Sequence, residues 1–476
     1  MKRFVEGADR TQVALLPESL DDFVSETNPV RVIDVFVDEL KLRKLGFAGV
    51  DPAATGRPSY HPAILLKLYI YGYLNRIQSS RRLEREAQRN VELMWLLGRL
   101  APDFKTIADF RKNNPKGIRA VCRQFVGLCR ELGLFAEAVV AIDGSKCKAV
   151  NNRDRNFTSA KLERRMQEIE SSVERYLVEM DSADRREPKV AKAKKERLQD
   201  KITTLKARMK ELEAIRDQLE NAPDKQVSLT DPDARSMKTR GTGIVGYSVQ
   251  TAVETKHHLI VAHEVINDGL DRDQLSTMAK QARKAMRVGS ITAIADRGYF
   301  KSEEILACHQ GGIVPLVPKS TTSTAKADGR FDRSDFIYDR DKDEYACPAG
   351  ERLIWRYTGS EGRLRMHKYR SSACPRCAIK KQCTPGDYRR VARWVHEEEL
   401  EVMQARLDEA PESMRIRRRT VEHPFGTLKA WMGATHFLTK GLERVRTEMS
   451  LHVLAYNLKR VMKLKGSEAM IAAMRA

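Results

Sequence analysis

Ala138-Val139-Val140-Ala141-Ile142-Asp143-Gly144 is the stretch that decides the fold. Five apolar residues run into an acid and a glycine, which is the texture of a strand buried on both faces. A second run of the same kind follows downstream: Ile291-Thr292-Ala293-Ile294-Ala295-Asp296-Arg297-Gly298-Tyr299. Between them, Ile244–Glu254 and residues 258–266 are β-rich, residues 271–287 have a helical pattern, and residues 312–318 form another strand candidate. Strands first, then helix alternating with strand, predict a mixed α/β sheet domain.

Upstream, residues 1–135 read as a helical domain. Val32, Val35, Phe36, Leu40 and Leu42 fall near a period of 3.6 within 29–45. Arg57-Pro58-Ser59-Tyr60-His61-Pro62 is a turn, and Ile64, Leu65, Leu68, Ile70, Tyr71 and Leu74 mark the helix after it. A basic stretch over 76–89 carries Arg81, Arg82 and Arg85. Residues 91–97 are an apolar run, and 106–111 and 118–132 are further helices. The basic face is either solvated charge or a DNA contact.

Two inserts interrupt the sheet domain, which spans 136–476. In 157–221, Leu162, Met166, Ile169, Val173, Tyr176 and Met180 alternate steps of four and three. Leu198, Ile202, Leu205, Met209, Leu212, Ile215 and Leu219 repeat the pattern. Two heptad-patterned helices predict an antiparallel helical hairpin. The second insert, 319–396, holds Cys347, Cys374-Pro375-Arg376-Cys377 and Cys383. Four thiolates suit one tetrahedral zinc ion. The alternative is four reduced thiols in a small polar subdomain.

The chain has 476 residues, 41% hydrophobic and 32% charged, so it can bury a sizeable core and is not a disordered tail. The formal net charge is +21 and the sequence pI is about 9.6, which puts a polyanion, nucleic acid first, at the head of the expected partners. There is no long apolar run for a membrane span, and residues 1–4 do not lead into a secretory signal. Eight sparse cysteines fit a reducing cytosol.

Asp143 and Asp296 each close an apolar strand. On neighbouring strands both carboxylates would project from one sheet edge, where open α/β sheets bind ligands. Two such acids repel unless cations lie between them, and hard ions such as Mg²⁺ favour oxygen ligands. Asp at a strand end also serves turns, so a third member is required. It stands in Arg415-Ile416-Arg417-Arg418-Arg419-Thr420-Val421-Glu422-His423-Pro424-Phe425-Gly426-Thr427-Leu428-Lys429. Other candidates are weaker. His257, His258 and His263 have no second ligand group in register. Ser145 has no evident His base. Gly241-Thr242-Gly243 lacks the Lys-Ser/Thr of a phosphate loop.

Asp-Gly-Ser-Lys at 143–146, Ala-Asp-Arg-Gly-Tyr-Phe at 295–300 and Val-Glu-His-Pro-Phe-Gly-Thr-Leu-Lys at 421–429 resemble the three acidic motifs of bacterial insertion-sequence DDE transposases. The likeness is closest to the insertion-sequence-1182-like group, and the helical start and the Cys-Pro-x-x-Cys insert are similar too. The resemblance implies an RNase H-like catalytic domain following a helical DNA-binding or assembly domain. It implies two Mg²⁺ or Mn²⁺ ions on Asp143, Asp296 and Glu422, with Arg418, Lys429, Arg297, Lys146, Arg415 and Arg419 at DNA. A structural zinc on Cys347, Cys374, Cys377 and Cys383 remains the alternative to free thiols. The implied partner is double-stranded DNA, at element ends and target, bound by a homodimer at the bacterial nucleoid. Arg415 stands where related enzymes carry Tyr. Two rivals share the motifs: a non-catalytic DNA-binding descendant, and an RNase H-like nuclease without strand transfer. Around the third acid, Pro424 predicts that a new helix begins at about that residue, leaving Glu422 just before a helix N-terminus.

Overall fold

The computed structural model describes residues 19–475 apart from 53, 56–57, 136, 184–187, 240–242 and 320–323. The readings made above on residues 1–4, Arg57, Gly241 and Thr242 lie outside the described residues. The chain forms two compact units. The first comprises Met1–Glu137, Asp143–Gly269 and Thr420–Ala476; the second comprises Ala138–Ile142 and Leu270–Arg419.

The first unit opens with α1 (Pro29–Asp38), α2 (Pro62–Leu74), α3 (Ser80–Ala87), α4 (Val91–Leu96), α5 (Phe104–Asn113) and α6 (Pro115–Glu131). Proline occupies the first turn of α1, α2 and α6, where its missing N–H costs nothing. Asn28 caps α1 through Val30 N–H, and Asp103 caps α5 through Lys105 and Thr106. α1 ends at Asp38 rather than near residue 45, because the chain turns back there and tucks Leu40, Leu42 and Phe47 into the core.

Strand β1 (Val139–Lys148) begins in the second unit and continues in the first. Within the first unit, β2 (Asn156–Thr158) and β3 (Gln226–Ser228) pair antiparallel at the base of α7 (Ser159–Ala183) and α8 (Pro188–Asn221). Leu162, Met166 and Ile169 of α7 pack with Leu212, Ile215 and Leu219 of α8. Strand β5 (Ile244–Glu254) runs antiparallel to both β4 (Arg235–Met237) and β6 (Ile260–Ile266).

Helix α9 (Leu275–Met286) in the second unit ends on Arg287, which takes a left-handed φ of 54°. The opening of β1 pairs in parallel with β7 (Ile291–Ile294), and β7 pairs in parallel with β8 (Ile313–Leu316) through the crossover helix α10 (Ser302–Gln310). After α11 (Thr324–Ala327) comes an antiparallel sheet absent from the sequence reading. It holds β9 (Ile337–Asp339), β10 (Glu344–Ala346), β11 (Arg352–Glu361), β12 (Leu364–Arg370) and β13 (Val391–Trp394), in the order β13-β12-β11-β10-β9. Phe336, Tyr345, Leu353, Tyr369 and Val391 form its core. Helices α12 (Glu397–Glu409) and α13 (Ser413–Gly426) follow, and the last turns of α13 belong to the first unit. The fold is thus mixed α/β with helical regions.

The first unit closes with α14 (Leu442–Lys465) and α15 (Ser467–Arg475). α14 is buried without a break from residue 447 to residue 458 and takes in Val445, Met449, Leu451, Val453, Leu454, Tyr456, Leu458 and Val461. It packs on α2, α6 and β6. Two of its buried polar residues are matched to backbone partners. Asn457 accepts from Ile260 N–H at 3.0 Å and donates to Ile260 O at 2.8 Å, which fastens the start of β6. The fully buried Glu448 carboxylate accepts from Leu438 N–H, Thr439 N–H and the Thr439 hydroxyl.

His452 of α14 is 2% exposed and meets the Tyr73 ring edge-on at 4.6 Å. Burial, with the nearby Arg111 guanidinium adding to it, pushes its imidazolium down to about 3. The folded state therefore holds His452 neutral, whereas the unfolded chain protonates it below about 6.5. The unfolded state binds the extra proton, so this contribution to stability is present above about pH 6.5 and declines as pH falls toward 3. We expect His452→Phe to flatten the fall of unfolding free energy between pH 6.5 and 4, measured by urea titration; an unchanged slope would contradict this account.

Candidate active site

The first and third acidic motifs meet within the first unit. Lys429 donates from Nζ to Ser145 Oγ at 2.6 Å and to Lys146 O at 3.0 Å. The segment beyond it continues along the same strand: Phe437 N–H donates to Lys148 O at 2.9 Å, and Lys148 bridges to His436. Residues far apart in sequence are thus laid side by side, and the strand carrying Asp143 is tied to the segment that follows Glu422.

Asp143 does not close its strand. β1 runs to Lys148, so Asp143 lies at mid-strand, half-buried, with its Oδ1 accepting from Gly144 N–H at 2.9 Å. The strand outruns its apolar core because its second half finds new partners. Ala149 N–H bonds to Val245 O at 3.1 Å, and Gly246 comes so close to Cys147 O that a Cβ would stand 2.0 Å from it. Only glycine fits there. Asp296 does follow its strand as expected. Its Oδ1 accepts from Gly298 N–H at 2.8 Å and so caps the short 3-10 turn Arg297–Tyr299. Within the second unit the register pairs Ala141 with Ile294, and Asp296 follows Ile294 by two residues.

Glu422 is exposed, but not ahead of a helix. α13 runs from Ser413 to Gly426 with Pro424 inside it, and it passes directly into the π-turn Thr427–Trp431, closed by Met432 N–H to Thr427 O at 2.9 Å. The expected helix start at Pro424 is overturned, and with it the helix-dipole argument for Glu422. Packing is the reason. An interior proline costs about 3 kcal/mol, whereas burying Val421 and Leu428, each 1% exposed, returns about 1.5–3 kcal/mol apiece. Arg418 stays one turn before Glu422 on α13.

His423, beside Glu422, was missed by the sequence reading. Tyr456 of α14 donates its hydroxyl to His258 O at 2.7 Å, so it accepts from His423 Nδ1 at 3.0 Å. His423 also stacks on His258 with ring centres 5.1 Å apart. Burial first, and then Arg460 and Lys463, lower the His423 pKa. This anchor fixes the last turns of α13 on α14. No spacing in the sequence marks it.

Arg417 was also passed over. Within the second unit its Nη2 stands 3.2 Å from Asp296 Oδ2, and its side chain is 14% exposed. The Asp296 carboxylate is therefore shared between its own turn and a guanidinium. Arg297, Arg415, Arg418 and Arg419 are exposed, and Arg415 pairs with Glu412. Lys146 is committed internally, donating to Gly269 O at 2.9 Å and Ser248 Oγ at 3.1 Å. Among the described residues, no group of three or more His, Cys, Asp or Glu side chains is arranged to hold a metal ion, and no helix is long and apolar enough to cross a membrane.

Comparisons with known proteins agree on one class. Residues 18–113 match the family model described as Transposase domain (DUF772), and residues 346–462 match the model described as Transposase DDE domain. The second match includes Glu422 and all four late cysteines. Together the two support a DDE transposase of the insertion-sequence type. A solved piggyBac transposase synaptic complex with hairpin DNA aligns over 94% of this chain and 79% of that one, at 9% identity and a TM-score of 0.31; a likeness that slight has no bearing on the fold. No curated protein matches.

A hydrogen bond to a charged group contributes about 1.5–3 kcal/mol, against about 0.5–1.5 for a neutral one. Lys429→Met removes both bonds to β1, and Ser145→Ala removes one. We expect Lys429→Met to be the more destabilising in urea unfolding; the reverse order would mean that Lys429 does not hold the two segments together.

Proposed function

We propose that this chain is a DNA transposase of the insertion-sequence-1182-like group. On this reading it binds the terminal inverted repeats of its element, as a homodimer in the DNA complex, and carries out strand cleavage and strand transfer in the bacterial nucleoid. Residues 1–135 form the helical DNA-binding and assembly domain, and 136–476 an RNase H-like catalytic domain with inserts at 157–221 and 319–396. The observation that carries the reading is the bond from Lys429 to Ser145 and Lys146, which brings the third acidic motif onto the strand of the first. The two transposase-domain matches and the net charge of +21 support it.

Asp143, Asp296 and Glu422 would hold two divalent ions, Mg²⁺ or Mn²⁺, since carboxylates are the donors that hard cations prefer. Such a pair, when bound, activates a water or DNA 3′-hydroxyl and stabilises the leaving oxygen of a phosphodiester. The protein's own groups do the rest. Arg417 balances the Asp296 charge until a cation takes that role. His423 and Tyr456 hold α13 so that Glu422 and Arg418 stay on one face. Arg418, Arg297, Arg415 and Arg419 are exposed cations available to phosphates, whereas Lys429 and Lys146 are fastened to β1 and its neighbours, where they position the strand. No covalent enzyme intermediate is required.

We expect Asp143→Ala, Asp296→Ala and Glu422→Ala each to abolish cleavage of DNA carrying the element's ends while leaving DNA binding intact. Near-normal cleavage by any one of them would remove that residue from the mechanism.

Zinc in the second insert is a separate part of the proposal. Cys347, Cys374, Cys377 and Cys383 are free thiols lining one cavity. The turns that present them are knuckle-like: Gly350 N–H bonds to Cys347 O at 2.8 Å with a φ of 78°, and Cys377 N–H bonds to Cys374 O at 3.3 Å. Burial first raises the Cys383 thiol pKa, with the other three cysteines adding to it and Arg389 opposing. Soft donors so gathered suit zinc, which would draw them closer. We expect metal analysis of protein purified under reducing conditions to give about one zinc per chain, lost in the Cys374→Ser, Cys377→Ser variant; a metal-free wild type would leave free thiols as the correct reading.

A further inference from the structure

The insert sheet of the second unit has a face that the proposed chemistry does not use. Cross-strand register sets its membership. Ile354 stands opposite Arg370 and Tyr357 opposite Lys368, whereas Trp355 stands opposite Tyr369, which is buried in the core. A bulge between Trp355 and Tyr357 leaves Arg356 as the extra residue of β11. Tyr357 is 51% exposed and Ile354 40%. Arg370 lies over the Tyr388 ring with its guanidinium carbon 4.9 Å from the centroid.

The charge of the segment that builds this face is lopsided. Residues 346–395 contain twelve Lys or Arg and three Asp or Glu, in a chain of 476 residues whose whole excess is +21. Of the acids nearby, Glu344 pairs with Arg352 and Glu361 with Lys368, while Glu351 and Asp387 are exposed. Arg356 and Arg390 are exposed. Arg390 also presses on Lys368, whose pKa is lowered by burial first and then by that neighbouring cation. Crowded cations interleaved with exposed tyrosines are costly without a counter-charge. A phosphate backbone supplies one, and sugars or bases can rest on aromatic rings.

We infer that this face of β11 and β12, with the Tyr388–Arg390 loop, is a DNA-binding surface separate from the three acidic motifs. Arg356, Arg370 and Arg390 neutralise phosphates, and Tyr357 packs against sugar or base. This rests on the transposase reading and adds to it a second, non-catalytic contact with DNA.

The test uses the full chain with Arg356→Ser, Tyr357→Ser and Arg390→Ser combined. Binding to a short fluorescent duplex and to its single strand is followed by anisotropy at several salt concentrations. Each lost phosphate contact lowers the log–log salt slope by about 0.9 on duplex and about 0.7 on single strand. The triple variant is expected to lose about twice that on the form of DNA it contacts, with an unchanged circular dichroism spectrum. The single Arg390→Ser variant, outside the strands, is expected to lose about one contact and stands in should the triple variant misfold. A wild type that binds DNA, with both surface variants showing the same slope, overturns this inference alone. A wild type that binds neither duplex nor single strand overturns the transposase reading with it.

Discussion

The Lys429 ammonium, held between the Ser145 hydroxyl and the Lys146 carbonyl, is the contact on which the site depends. One cation satisfies two oxygens on a strand formed 280-odd residues earlier in the chain. A half-buried lysine needs such partners, because an unmatched charge away from water costs several kcal/mol. Once Lys429 is fixed, the π-turn that carries it is fixed as well, and α13 enters that turn with Glu422 two turns upstream. Phe437 and Lys148 continue the alignment on the far side.

Two further contacts act on the same helix from different places. Tyr456 holds His423 from α14, and Arg417 reaches Asp296. The first joins the Tyr456 hydroxyl to an imidazole whose pKa is lowered. The second is an ion pair that remains partly solvated, so its net worth is modest. The two contacts therefore differ in kind: a hydrogen bond next to Glu422, and a partly solvated ion pair at Asp296 that a competing cation can displace.

Much of this was legible in the sequence. Apolar runs ending in Asp-Gly and Asp-Arg-Gly located β1 and β7, because strands buried on both faces need unbroken apolar residues. Heptad spacing located α7 and α8, because only steps of three and four keep one stripe facing a partner. Other features were not legible. β1 extends past Asp143 because of Val245 and a glycine at 246, which are long-range partners. Pro424 stays helical because Val421 and Leu428 are buried, and burial is a tertiary property. The sheet of the cysteine insert escaped notice because its strands alternate Arg and Lys with apolar residues at a bulge, so neither face reads as a clean period of two. Arg417 and Tyr456 carry no local signature at all; only the folded chain selects them from their neighbours.

On the proposed reading the three acids join DNA as well as cut it. The most direct measurement incubates purified wild-type protein and Mg²⁺ with DNA that carries the element's ends, together with a supercoiled target, and looks for covalently joined products by gel and by sequencing of the junctions. The account predicts junctions in which an element 3′ end is linked to target DNA. Cleaved ends with no joined product would contradict it and make the chain a nuclease.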